Sequence, residues 1–254
     1  MEQREMSLFD HIGELRKRVI IILIFFFVAM IGGMFLAKPL IMYLQSAPEA
    51  QELPMNAFKL TDPIRIYMTF AFASAVLLVF PVILYQLWAF ISPGLHEKER
   101  RVTLSYIPIS FFLFLLGISF SYFILFPFII QFMGRLAEQL NITEQYGINE
   151  YFSFLFQITL PFGFLFQLPV VVMFLTRLGI VTPKFLSQVR RYAYFVLLVI
   201  AGFITPPELI SHLLVTVPLL LLYEFSIWIS YIAYRKAKKA EAALEKQEND
   251  SSVQ

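Results

Sequence analysis

Charged side chains are scarce in this chain, and those that could do chemistry collect at a few positions. Residues 90–101 read FISPGLHEKERR and set His96, Glu97, Lys98, Glu99, Arg100 and Arg101 in an unbroken row after a Pro93-Gly94 turn. Glu14 sits just ahead of Arg16, Lys17 and Arg18 in a polar head. Carboxylates in a cationic surround accept the two-pronged hydrogen bonding of a guanidinium, so Glu14, Glu97 and Glu99 can recognise an arginine. The same side chains can instead satisfy one another, Glu14 with Arg18 and Glu97 or Glu99 with Arg100 or Arg101. Such pairs contribute only a few tenths of a kcal/mol and would leave a solvated connector that sets topology. Both readings stand on the residues alone.

A second group of polar residues lies inside long apolar runs, where such groups are functional candidates by default. Glu224 is the clearest, and Gln167 stands just before Pro169. Each can equally be a hydrogen-bonded packing group between helices. Pro161, Pro169 and Pro218 each free a backbone carbonyl and kink or widen their helices. Enzyme signatures are missing. His11, His96 and His212 lie far apart, and no H-E-x-x-H, P-loop, G-x-S-x-G or dinucleotide-binding pattern occurs. The chain has no cysteine, which removes disulfides, thiolate metal sites and Cys nucleophiles. Neither a cofactor nor a metal is expected, and nothing beyond basic loops suggests nucleic acid.

The elements that must position these residues follow from composition. Fifty-nine per cent hydrophobic residues, 15% charged, 29 phenylalanines and a mean hydropathy of +0.72 exclude a soluble globular domain. The apolar residues fall in continuous blocks of spanning length, so the chain is read as an all-α integral membrane protein rather than a barrel. Six spans are expected at 19–37, 65–88, 104–130, 152–176, 192–205 and 210–230, the fourth and sixth broken by proline. The fifth is short, about 21 Å against a hydrocarbon core of about 30 Å. Only Thr205-Pro206-Pro207-Glu208 joins it to the sixth, so the two form a tight hairpin.

Ahead of the first span, Ser7 and Asp10 make a capping box, and Leu8, Ile12, Leu15 and Val19 form one apolar stripe. Residues 1–18 therefore read as a cytoplasmic head with an interfacial helix, 19–234 as the membrane domain, and 235–254 as a charged tail that starts helical and ends in disorder. Sixteen of the twenty Lys and Arg residues fall on the side of the two termini and the 90–101 loop. By the positive-inside rule that side is the cytoplasm, with the chain in a plasma membrane. The outer loops at 38–64 and 131–151 are long enough for short helices of their own.

Three separated motifs carry a family resemblance: His11-Ile-Gly-Glu14-Leu15-Arg16-Lys-Arg18, then Phe90-x-x-Pro93-Gly94-Leu95-x-x-x-Glu99-Arg100-Arg101, then Thr205-Pro206-Pro207-Glu208. Together, over about residues 7 to 235, they resemble TatC, the multispanning core subunit of the twin-arginine protein translocase. The resemblance implies a glove-like, concave set of six helices without enzymatic activity. It implies a receptor for signal peptides bearing consecutive arginines, exporting folded cargo with proton-motive force. Glu14 and Glu99 would contact the arginine pair, with Arg16, Phe90, Pro93, Leu95, Arg100 and Arg101 shaping the site. Glu208, Gln167, Glu224 and the short last spans would belong to the region that engages a single-span TatA-type partner, within a receptor complex that is also a homo-oligomer.

One departure is visible: many TatC proteins carry glutamate where this chain has Gln167, so a hydrogen bond would replace a charge contact. That change and the Lys-rich tail are similar to the Gram-positive, Bacillus-like form. The alternative on the residues alone is a proton-coupled secondary transporter using Glu224 and Gln167.

Overall fold

The structure is a computed structural model that describes residues 8–47, 55–94, 97–143, 145–205 and 209–252. Helices dominate, as a hydrocarbon solvent requires: every backbone N–H and C=O must be satisfied within its own segment. In chain order they are α1 (Leu8–Gln45), α2 (Asp62–Ile91), α3 (Glu97–Leu104), α4 (Tyr106–Phe120), α5 (Phe126–Gln139), α6 (Ile148–Leu165), α7 (Leu168–Arg177), α8 (Pro183–Gln188), α9 (Arg190–Ile204) and α10 (Leu209–Ser252). Among the described residues, five helical stretches are long and apolar enough to cross a membrane: Ile12–Gln45, Asp62–Ile91, Val102–Gln139, Ile148–Arg177 and Leu209–Arg235. The fifth expected span is α9, which has 15 residues and is not among them.

Several boundaries differ from the sequence reading, each for a local reason. The head is not a separate interfacial helix: α1 runs unbroken from Leu8 to Gln45, because its apolar stripe passes straight into the first span. The Ser7 cap lies outside the described residues. Between α4 and α5 the chain widens into a π-helical turn, Ser121–Leu125. Pro127, in the first turn of α5, has no N–H and crowds the carbonyl of residue 123, and a wider turn relieves that clash. The fourth apolar run does break, at Phe166 and Gln167, with Pro169 opening α7. Pro218, by contrast, sits inside α10 without interrupting it, and α10 continues through the charged segment to Ser252.

The chain divides into two compact units, Met1–Phe112 with Ser121–Leu160, and Leu113–Phe120 with Pro161–Gln254. In the first, α1 lies along α2. Phe26 meets Phe72 edge-on at 5.5 Å, and the Tyr67 hydroxyl donates to the Met34 carbonyl at 2.5 Å. Phe70 is fully buried, edge-on to Phe152 at 5.0 Å and Phe156 at 4.9 Å. The first outer loop forms no helix in its described part. It holds strand β1 (Met55–Asn56), which pairs in parallel with β2 (Tyr146–Gly147) of the second outer loop. The buried Asp62 carboxylate closes the following turn by accepting from the Phe58 and Lys59 N–H groups at 3.0 and 2.8 Å.

In the second unit, α7 and α10 are joined by a buried Thr176–Ser230 hydroxyl pair at 2.7 Å. Gly179, at φ 72°, turns the chain out of α7 in the left-handed conformation that glycine takes without penalty. Thr182 caps α8, accepting from the Phe185 N–H at 3.2 Å, and the Tyr223 hydroxyl donates to the Leu186 carbonyl at 2.9 Å. The short connector from α7 to α9 is thus fixed at both ends.

The α1–α2 contact gives a test with its own control. A Cβ on Gly33 would stand 2.5 Å from the Ala71 carbonyl oxygen, whereas one on Gly32 meets nothing within 4 Å. Gly33→Ala is expected to cost about 1–3 kcal/mol through overpacking, and Gly32→Ala to be neutral or slightly favourable on helix propensity. Thermal unfolding of the detergent-solubilised protein checks this, and equal effects at both positions would contradict the packing described.

Candidate functional site

The expected site residues of the first unit lie at the head of α1 and the end of α2. Glu14 and Arg18 are one turn apart on α1, so their side chains meet on the same face. The Arg18 guanidinium donates twice to Glu14 Oε1, through Nε at 3.1 Å and through Nη2. It also crosses to α2, where Nη1 donates to Gln86 Oε1 at 3.2 Å and Nη2 to the Ala89 carbonyl at 2.9 Å. Both charged side chains are about one-fifth exposed, and Gln86 is buried. One cation therefore ties the head to the residue immediately before Phe90.

The loop that follows is anchored as well. Ser92 Oγ donates to the same Ala89 carbonyl at 3.3 Å, and Pro93 stands exposed in the 3-10 turn Ser92–Gly94. The Trp88 indole N–H donates to Thr103 Oγ1 at 3.1 Å, and the Arg100 guanidinium lies 5.8 Å above the Trp88 ring. Trp88 thus pins α3 back onto the end of α2. Of the expected set, Glu14, Phe90, Pro93 and Arg100 fall in this one region, and Arg16 is exposed on α1. Glu99 and Arg101 belong to α3 by backbone, but their side chains, with Leu95 and residues 206–208 including Glu208, lie outside the described residues. The sequence reading missed Gln86, Trp88 and Thr103. A polar residue inside a span and a tryptophan at its end were the available clues.

The second unit holds the other candidates. Gln167 sits at the α6–α7 break, where its carbonyl accepts from Val170 and Val171 N–H at 3.0 Å each. Its side-chain amide reaches the Gly163 carbonyl only at 3.5 Å. Glu224 is not an isolated carboxylate. The Tyr194 hydroxyl donates to Oε1, and Arg190 Nε approaches the same oxygen at 2.8 Å as a charge contact rather than an aligned hydrogen bond. The sequence reading placed Glu224 midway along a span without a partner. It missed Arg190 because the α9–α10 hairpin brings the start of one helix beside the far half of the other. Among the described residues no group of His, Asp and Glu has the arrangement of a metal site. A cavity of about 370 Å³ in the first unit is lined by Tyr43, Ser46, Tyr122, Phe123 and Tyr151, none of them a candidate residue.

The chain was compared with known proteins. The TatC family, described as Sec-independent protein translocase protein, matches residues 10–218. The Sec-independent protein translocase protein TatC of Halalkalibacterium halodurans is 73% identical over 241 residues, covering 95% of each chain. The TatCy protein of Bacillus subtilis is 63% identical over 243 residues, covering 96% of each. A crystal structure of the twin-arginine translocase receptor TatC superposes with a TM-score of 0.78 at 33% identity, over 88% of this chain and 99% of that one.

The corner between α2 and α3 yields a measurable expectation. Thr103→Val leaves the Trp88 N–H without its acceptor and should destabilise the corner by about 1 kcal/mol. In a Trp228→Phe background Trp88 is the sole tryptophan, so its fluorescence reports the corner's denaturant midpoint. An unchanged midpoint would mean that Trp88 does not hold α3.

Proposed function

The chain belongs to the TatC family of Sec-independent protein translocase proteins, and from that premise we propose that it is the receptor of the translocase, binding twin-arginine signal peptides on its cytoplasmic face. The observation that carries this reading is the Glu14 carboxylate. It engages a guanidinium beside the loop that begins at Phe90, which demonstrates the chemistry the receptor needs. Glu14 and Glu99 would take the two arginines of the signal, with Arg16, Phe90, Pro93, Leu95, Arg100 and Arg101 around them. A guanidinium offers a carboxylate two parallel hydrogen bonds, whereas an ammonium offers a point charge, so arginine is favoured over lysine.

The wider reading follows the family. α9 is the fifth of six membrane helices, short enough to leave the bilayer thinned beside it, and the six form a concave, glove-like surface. Both termini face the cytoplasm of a bacterial plasma membrane, in keeping with the basic residues gathered on that side. Signal peptides insert along the concavity toward Gln167. Single-span TatA-type protomers assemble against the last three spans and Glu208, and folded cargo crosses at the expense of proton-motive force. The receptor works as a homo-oligomer, with lipid as its solvent and with no catalytic step of its own. A proton-coupled transporter centred on Glu224 is less well supported, because Arg190 and Tyr194 already occupy that carboxylate.

Binding of a fluorescent twin-arginine signal peptide to the protein in proteoliposomes tests the reading. Glu14→Gln, Glu99→Gln and a twin-lysine peptide should each weaken binding roughly tenfold or more, the loss of a charge-assisted hydrogen-bond pair. Equal binding in all four cases would refute the assignment.

A further inference from the structure

The Glu14 carboxylate already holds an arginine from its own chain. An i,i+4 pair on a helix is commonplace and weak, and by itself would imply nothing. The Arg18 guanidinium differs in being held from a second helix, by the buried Gln86 side chain and by the Ala89 carbonyl. Its position against Glu14 is therefore fixed in advance, with little side-chain entropy left to lose. Both of its bonds to Glu14 fall on a single oxygen, Oε1. If Glu14 were taken by another cation, Arg18 would keep its two contacts to α2 and would not be set adrift.

We propose that Arg18 is a built-in competitor for the Glu14 carboxylate, and that this competition sets the preference for arginine over lysine in the bound peptide. The inference rests on the receptor reading above and adds a residue that the reading does not use. An incoming guanidinium can replace the one-oxygen contact of Arg18 with a two-oxygen fork, so its exchange is close to balanced or favourable. An incoming ammonium offers one point of contact and must displace a preorganised guanidinium to make it. Lysine is disfavoured twice, by its own weaker contact and by the contact it breaks. Discrimination built on a penalty against the wrong ligand is a general route to specificity. Without Arg18, Glu14 would be a bare carboxylate that accepts either cation with less distinction.

The test measures affinities of twin-arginine and twin-lysine signal peptides for the full-length protein in proteoliposomes, comparing wild type, Arg18→Lys and Arg18→Gln. In Arg18→Gln the twin-lysine peptide should bind about fivefold more tightly, the factor that a part-exposed ion pair supplies, and the twin-arginine peptide should change less. The arginine-to-lysine affinity ratio therefore falls. Arg18→Lys, which keeps the charge and perturbs the fold least, should lower the ratio by a smaller step. A ratio unmoved in both variants, or a loss of affinity shared equally by both peptides, overturns the proposal and leaves Arg18 a structural tie. A wild-type protein that binds the two peptides equally overturns the receptor reading along with it. Discrimination in the wild type with no response at Arg18 overturns this proposal alone.

Discussion

The cytoplasmic end of the first unit depends on one guanidinium. Arg18 bonds to a carboxylate one turn back on its own helix, to a buried amide on the next helix, and to the last carbonyl before the loop. No other side chain could do this. A lysine has three donors on a single nitrogen and cannot span three acceptors on separate residues, whereas arginine presents five in a fixed plane. The contact also relieves a cost. Gln86 is buried near the end of a span, where an amide without a partner would be unfavourable by a few kcal/mol. Packing, hydrogen bonding and recognition chemistry converge on the same atoms, and so the head and the loop of the candidate site are one assembly.

Elsewhere the fold is governed by its solvent. Lipid supplies no hydrogen bonds, so hydroxyls satisfy themselves on nearby carbonyls, as Thr176 does on Val172 and Ser226 on Leu222, both at 2.7 Å. Without a hydrophobic drive between helices, close approach comes from small residues, as where Gly33 faces Ala71. Aromatic rings fill the remaining space, with Phe70, Phe152 and Phe156 as the inner cluster of the first unit. Proline is tolerated at three kinds of place: the interior of α10, the opening of α7, and behind a π-turn before α5.

Much of this was legible in the residues, and the remainder has physical reasons for being hidden. Hydropathy located the apolar runs, since continuous blocks of spanning length have few other uses. The one-turn spacing of Glu14 and Arg18 made their pairing readable. Its extension to Gln86 and Ala89 was not, because contacts 68 and 71 residues apart leave no trace in local spacing. The pairing of Met55–Asn56 with Tyr146–Gly147 was equally hidden, since two-residue strands have no period to detect. Glu224 was misread for the same reason: its partner Arg190 lies across a hairpin. The end of α1 at Gln45, well past the expected 37, reflects a helix that outlasts its apolar stretch, where hydropathy falls but the hydrogen-bond ladder continues.

The central claim is that the head of α1 and the loop after Phe90 form a single arginine-binding surface. The most direct measurement places a photoreactive residue at position 90 of the full-length protein in membranes and illuminates it with a twin-arginine signal peptide. The account expects a crosslink that disappears when Glu14 is changed to Gln, although position 90 lies on a different helix-to-loop junction. A crosslink of equal yield in both proteins would mean that the loop binds the peptide without the head, and would contradict the claim.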